Sequence, residues 1–219
     1  MDIKYLGHSS FKLRGKDASL VTDPFDPKLV GLDYGKVSAE VITLSHDHAD
    51  HNASSRVTGT TKREIPFVVD SPGEFEASGI GVIAISSFHD DKQGADRGKN
   101  LICVIQVDGL VVAHMGDLGH VLSDKQVSRI GPVDILFLPV GGSYTIGPVV
   151  AIKVIDQLSP SIVIPMHYKV EGMSSSFDGL VTVDEFLDKG GFENVRTEEK
   201  LSVSSSSLPE ETEVVVLKV

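Results

Sequence analysis

The sequence predicts an α/β (α+β) fold in which sheets are covered by helices. Strand-like apolar runs follow one another through the first half, and strand and helix patterns alternate through the second. The composition is that of a globular chain with a large core: 41% hydrophobic and 23% charged residues over 219 positions. Twenty-one glycines and ten prolines predict many turns between the elements. Periodicity alone leaves open whether the strands form one sheet or two. The length fits a single domain, residues 1–219. No linker or repeat interrupts it, and the serine run Ser204–Ser207 is too short to separate domains.

In order, the runs Ile3–Leu6, Ser10–Leu13, Leu20–Thr22, Val41–Leu44 and Phe67–Val69 predict short strands, bounded by turn residues. Ile80–Ile85, Leu101–Val107 and Leu110–Ala113 follow. The Asp108-Gly109 pair between the last two is a hairpin signal and makes them antiparallel neighbours. Asp90–Lys99 is polar and reads as a loop. Ser123 and Gln126 form a capping box that opens a helix to about Ile130. Val133–Leu138 predicts a strand ended by Pro139. Pro148 starts a helix with apolar residues at Val150, Ile152, Val154, Ile155 and Leu158. Ser161–Met166 is the next strand. Thr182 and Glu185 offer a second capping box for a helix ending at Gly190-Gly191, and Val214–Val219 closes the chain as a strand.

The net charge of −11 argues against a nucleic-acid partner but not against a small anionic substrate, because bound divalent cations reverse the local sign. The lone Cys103 sits in an apolar run, where a buried hydrophobe is the ordinary reading, and fits a reducing compartment. No signal-peptide pattern opens the chain, and no apolar run approaches a membrane span. The expectation is a cytoplasmic protein without a membrane partner.

The strongest feature is Ser45-His46-Asp47-His48-Ala49-Asp50-His51-Asn52, which contains His-x-His-x-Asp-His. In a chain of this composition the pattern arises by chance about once in a thousand sequences. It follows the strand-like run Val41–Leu44. In extended chain His46 and His48 point the same way and can grip one cation, while Asp50 and His51, as the chain turns into a helix, can face a second. His89, Asp117 and His167 each lie just beyond an apolar run as well. Each alone reads as a structural histidine or a turn aspartate. Together they predict ligands converging on one sheet edge.

The order His46-x-His48-x-Asp50-His51, His89, Gly116-Asp117, His167 resembles the motif series of the metallo-β-lactamase superfamily over most of the chain. It looks closest to the ascorbate-phosphate-lactonase-like branch of small metal-dependent hydrolases. Tyr5-Leu6-Gly7-His8-Ser9-Ser10-Phe11, Thr22-Asp23-Pro24, Phe88-His89-Asp90-Asp91, Arg97-Gly98-x-Asn100, Gly116-Asp117-Leu118-Gly119-His120 and Pro165-Met166-His167-Tyr168 resemble stretches of that branch. The resemblance implies an αββα four-layer sandwich, two mixed sheets with helices on the outer faces. It implies two divalent metal ions: His46, His48 and His89 on the first, Asp50, His51 and His167 on the second, and Asp117 bridging. A histidine at position 48, where the diiron flavoprotein branch has glutamate, favours zinc, although manganese or iron suits the same donors.

The implied chemistry is attack of a metal-activated hydroxide on a small ester, lactone or phosphate-containing substrate. Asp50 would orient the nucleophile or carry its proton besides binding metal. His8 and His120 match positions of the branch and have either a substrate-side or supporting role or a plain structural one. Asn100 and Asp23 can orient ligands. His114 and Tyr168 read as packed residues. Two alternatives stand beside this function: a ribonuclease-type phosphodiesterase on the same metals, and a metal-binding protein without catalysis. Against the first, only fifty positions separate Asp117 from His167, too few for the large inserted domain of RNA-processing relatives. β-Lactam hydrolysis remains a conceivable side activity. Neither the substrate nor the oligomeric state is legible in the sequence.

Overall fold

Two mixed sheets, of six and eight strands, form the centre of the molecule, which a computed structural model describes over residues 1–219. The first half builds most of the smaller sheet. β1 (Asp2–Gly7), β2 (Ser10–Arg14) and β3 (Ser19–Thr22) form an antiparallel meander, and the one-turn helix α1 (Pro27–Val30) follows. After β4 (Val37–Ser38) come β5 (Val41–Thr43), β6 (Val57–Thr58) and β7 (Phe67–Val69). β5 lies parallel to both β3 and β7, while β4 and β6 pair as a separate ribbon.

The larger sheet starts with β8 (Gly73–Ala77), β9 (Ile80–Phe88), β10 (Lys99–Val107) and β11 (Leu110–His114), all antiparallel. The Asp108-Gly109 turn joins β10 to β11, with both residues at positive φ (54° and 74°), as a type I′ hairpin requires. Helix and strand then alternate: α2 (Asp124–Ile130), β12 (Ile135–Pro139), α3 (Pro148–Leu158), β13 (Ile162–Met166), α4 (Val183–Gly190) and β14 (Val195–Glu198). β15 (Leu201–Ser202) crosses back to pair with β1, and β16 (Glu213–Leu217) inserts between β13 and β14. The orders are β15-β1-β2-β3-β5-β7 and β14-β16-β13-β12-β11-β10-β9-β8.

Strand alternation divides the apolar side chains. Leu20 and Val41 join the main core between the sheets, against residues such as Ile102, Ile105 and Phe137. Their neighbours Val21 and Ile42 face the other way, into a smaller cluster with Phe25, Val30, Tyr34 and Phe177. Phe11 of β2 stacks on Phe137 of β12, ring centroids 4.0 Å apart, and so joins the two sheets. The buried faces of α2, α3 and α4 belong to the main core. Over the six-stranded sheet the outer layer is thin, made of α1 and loops.

Several local expectations change. Ser123 and Gln126 form the capping box, but Thr182 makes no side-chain cap, and Glu185 pairs with Lys189 at 2.7 Å instead of reaching back to it. Pro139 is the last residue of β12 rather than a stop before it. β8 and β14 carry no apolar run. They are the two edge strands of the large sheet, and Glu74 and Glu76 at the exposed positions of β8, with Arg196 and Glu198 on β14, supply the charges that protect an open edge. No helix is long and apolar enough to cross a membrane.

Candidate metal centre

Strand polarity gathers the motif residues. β1, β3 and β5 run parallel to one another, as do β9, β11, β12 and β13. His8 follows β1, Asp23 follows β3 and the His46–His51 segment follows β5, so all three leave the small sheet at one edge. His89, Asp117 and His167 follow β9, β11 and β13 at the corresponding edge of the large sheet. Extended chain brings the His46 and His48 rings to 4.5 Å. The expected helix after Asp50 does not form. His51 N donates to His48 O in a tight turn, and Ala53 N is committed to Pro24 O at 2.8 Å, which leaves only a 3₁₀ turn at Ser54–Arg56.

Two donor groups result. His46, His48 and His89 place one ligand atom each within 4.8 Å of one another. Asp50, His51 and His167, together with His8, do the same. Asp117 stands between the groups. Its Oδ2 is 3.1 Å from His89 Nε2, 3.3 Å from His51 and His167 Nε2, and 3.9 Å from His46 Nε2.

Hydrogen bonds behind the rings set their tautomers. Asp23, fully buried, accepts from Ser45 N at 2.8 Å, from Ser45 Oγ at 2.5 Å and from His51 Nδ1 at 3.0 Å. Since the Ser45 hydroxyl proton goes to Asp23, its oxygen accepts from His46 Nδ1 at 2.8 Å. One carboxylate thereby turns Nε2 of both His46 and His51 toward the centre, the usual arrangement behind a ligating imidazole. Asn100 accepts from Asp117 N through Oδ1 and donates to Met115 O through Nδ2, both at 2.9 Å. Gly116, at φ +54°, leaves no room for a side chain: a Cβ there would lie 2.3 Å from Asn100 Oδ1.

Of the remaining histidines, His8 is wholly buried, with Nε2 3.1 Å from Asp50 Oδ2 and its ring 4.3 Å from that of His167. His120 belongs to neither donor group and does not line the cavity over them. Its Nε2 accepts from Phe88 N at 3.3 Å, next to His89, in keeping with the supporting or structural alternative for this residue. His114 is core, bonded to Ser9 O at 2.9 Å, and Tyr168 packs near Tyr5. Cys103 is buried. His8, Asp23 and His167 hold positive φ (57°, 34° and 52°), backbone strain collected at the strand ends that bear the site.

Burial pushes His46 and His8 down to about 3, so both imidazoles are neutral: the His46 Nε2 lone pair is free to donate to a cation, and His8 donates its Nε2–H to Asp50. Burial would raise Asp117, but His167 and His51 hold its carboxyl well below the usual range. Burial also opposes charge on His51, yet Asp117 and Asp23 keep a proton on it well above the usual range. Those carboxylates hold a positive charge at the place where a cation would sit. His46 Nε2 and Asp117 Oδ1 are buried without any hydrogen-bond partner. Unpartnered acceptors facing a nest of imidazoles are what a bound cation satisfies, and the donor set of nitrogens and carboxylates suits a divalent transition metal.

The family model for the beta-lactamase superfamily domain matches residues 2–167. The chain belongs to the metallo-β-lactamase superfamily. Among its relatives in the superfamily, a UPF0173 metal-dependent hydrolase of Thermococcus onnurineus is 28% identical over 192 residues, 76% of this chain and 84% of that protein. One of Korarchaeum cryptofilum is 31% identical over 192 residues, 76% of this chain and 82% of that protein. A solved structure from Thermotoga maritima, described as a candidate Zn-dependent hydrolase of the metallo-beta-lactamase superfamily, superposes with a TM-score of 0.80. It shares 37% identity and covers 99% of this chain and 97% of that one.

As in a superfamily fold whose ligands sit at strand ends, the cavity over the centre is open. It has about 320 Å³ and is bounded by His48, Asp50, His89, Asp117 and His167 on its floor. A larger cavity of about 620 Å³ lies around His120 and Lys125 and contains none of the clustered donor groups. Sequence reasoning assigned no role to Ser45, Arg97 or Tyr144. Ser45 stands beside the motif, but its role depends on Asp23, twenty-two positions away, which it meets only in the fold. Arg97 and Tyr144 lie on the cavity wall, contributed by distant loops.

Proposed function

We propose that this chain is a metal-dependent hydrolase that binds two divalent cations, zinc first among them, and cleaves a small ester, lactone or phosphate-containing molecule. The name metal-dependent hydrolase carried by its relatives supports the reaction class. The observation that carries the dinuclear reading is the position of Asp117, whose single Oδ2 faces histidines of both donor groups within 3.1–3.9 Å. His46, His48 and His89 would hold one cation, Asp50, His51 and His167 the other, and Asp117 both. Bound there, the cations supply a water nucleophile at neutral pH and stabilise developing negative charge.

The chain's own residues do the rest. The Asp50 carboxyl is lowered from its ordinary value: burial works against ionisation, but the hydrogen bond from His8 and the charge of His51 outweigh it. Asp50 borders the cavity, and its ionised carboxylate is placed to orient the attacking water by accepting a hydrogen bond from it. His8, bonded to Asp50 Oδ2 at 3.1 Å, is a positioning residue for that carboxylate. A cavity of about 320 Å³ fits a small molecule rather than a folded nucleic acid.

The test pairs metal analysis with turnover of a model ester, a lactone and a phosphodiester, for the wild type, His48→Ala and Asp117→Asn. The expected result is about two metals per wild-type chain, with metal and activity lost together in the variants. Full activity in metal-free protein would end the proposal. Zinc-loaded protein inert toward all three substrates would leave a metal-binding protein without catalysis.

A further inference from the structure

The wall of this cavity carries one unpaired cation. Arg97 lies in the loop between β9 and β10 and borders the cavity with Tyr144, Leu29, Ser176 and Phe177. No carboxylate stands within ion-pair distance of its guanidinium, although the chain carries eleven more acidic than basic residues. Of its five N–H donors, one Nη2 bond is used, to Ser143 O at 2.9 Å. Its guanidinium carbon lies over the Tyr144 ring, 5.1 Å from the centroid. Tyr144 is itself tied down by a hydrogen bond to Ser176 O at 2.7 Å.

The backbone that presents Arg97 is equally fixed. Asp90, the residue after His89, accepts four backbone N–H groups of this loop: Lys92 at 2.8 Å, Gly94 at 2.8 Å, Asp96 at 3.0 Å and Arg97 at 2.8 Å. His89 N donates to Gly98 O at 3.1 Å, closing the loop at its base. A donor fork held at both ends, with its remaining N–H groups uncommitted, has the chemistry of an anion receptor. Apart from Ser176, the rest of the wall above the donor groups is formed by Leu29, Tyr144 and Phe177. Leu29 and Tyr144 are 40% and 37% exposed, large side chains left uncovered at the rim, with Phe177 between them and the floor.

We infer that Arg97 is a specificity residue that binds an anionic oxygen group, carboxylate or phosphate, at the end of the substrate away from the scissile bond, while Leu29, Tyr144 and Phe177 hold a compact apolar body. Asp90 is the positioning residue that sets Arg97 in place. The inference rests on the hydrolase reading of the site, since it names the class of molecule that the cavity admits.

The decisive measurement is calorimetric titration of metal-loaded wild type, Arg97→Gln and Arg97→Lys with benzoate, phenylphosphonate and neutral benzamide. The wild type should bind at least one anion more tightly than benzamide, and the tighter of the two identifies carboxylate or phosphate as the group read. Arg97→Gln should weaken that anion at least tenfold with metal content unchanged, and Arg97→Lys should restore part of the loss. Anion affinity unchanged in Arg97→Gln would mean that the anions sit on the metals alone, and would overturn the inference. So would an equal loss for benzamide, or no anion binding by the wild type. Turnover of the model ester, lactone and phosphodiester is measured in the same samples. Its absence with all three defeats the hydrolase reading, whereas the affinities decide the role of Arg97 independently.

Discussion

His51 Nδ1 lies 3.0 Å from Asp23 Oδ2, while Nε2 of the same ring lies 3.3 Å from Asp117 Oδ2. One imidazole thus spans two carboxylates, the first behind it and the second in front. Asp23 also reaches His46 through Ser45 and supports both donor groups. Asp23→Asn keeps the size of the side chain and removes its charge. It should weaken metal binding by about 10–100-fold, read by titration against a competing chelator. An unchanged midpoint would remove Asp23 from the metal centre's support.

His8 occupies a left-handed backbone position, which asparagine also tolerates. His8→Asn should therefore fold, but its shorter side chain cannot span the 3.1 Å contact to Asp50 Oδ2. The expected outcome is a fall in kcat by about an order of magnitude, with metal retained at His46, His48 and His89. Steady-state kinetics on a model ester, with metal counted in parallel, would show it. Undiminished kcat would make His8 merely a packed ring.

Asp90 provides a pH test. Burial raises its carboxyl, but the backbone N–H groups of Arg97, Gly94, Lys92 and Asp96 outweigh it and bring it down to about 2. A folded value below the unfolded one of about 3.9 means that the ionised form stabilises the fold fully above pH 4. That contribution fades as pH falls toward 2. Melting of wild type and Asp90→Asn in chelator should show a gap in Tm at pH 5 that closes between pH 4 and 2. A gap independent of pH would contradict the assignment.

Gly119 packs its Cα against the backbone bearing His89: a Cβ would lie 2.3 Å from His89 C and from Asp90 N. Gly119→Ala must shift that backbone. Destabilisation by about 1–3 kcal/mol is expected, together with weaker metal retention, by denaturant melts and metal analysis. Wild-type values for both would show that the segment yields freely.

The Phe11–Phe137 stack joins the sheets, and both rings are fully buried. Phe137→Ala should cost about 3–5 kcal/mol in urea unfolding. A loss below 1 kcal/mol would mean that the core collapses around the gap.

Local chemistry explains which of these features the sequence exposed. The His46–His51 motif, the Asp108-Gly109 turn and the Ser123 capping box depend on residues a few positions apart, and their geometry follows from backbone rules. His89, Asp117 and His167 were legible as a set because each follows an apolar strand. β8 and β14, on sheet edges, escaped because an edge strand needs no apolar run, and the expected helix after Asp50 failed because Pro24 claims the N–H of Ala53. The sequence by itself determined the α/β class and the residues able to ligate metal. Only the tertiary structure decided that Asp23 supports two histidines, that His120 stands outside the donor groups, and that Arg97 and Tyr144 meet over the cavity. The reason is physical: those pairings depend on where separate loops come together, and no residue carries that information in its own neighbourhood of the chain.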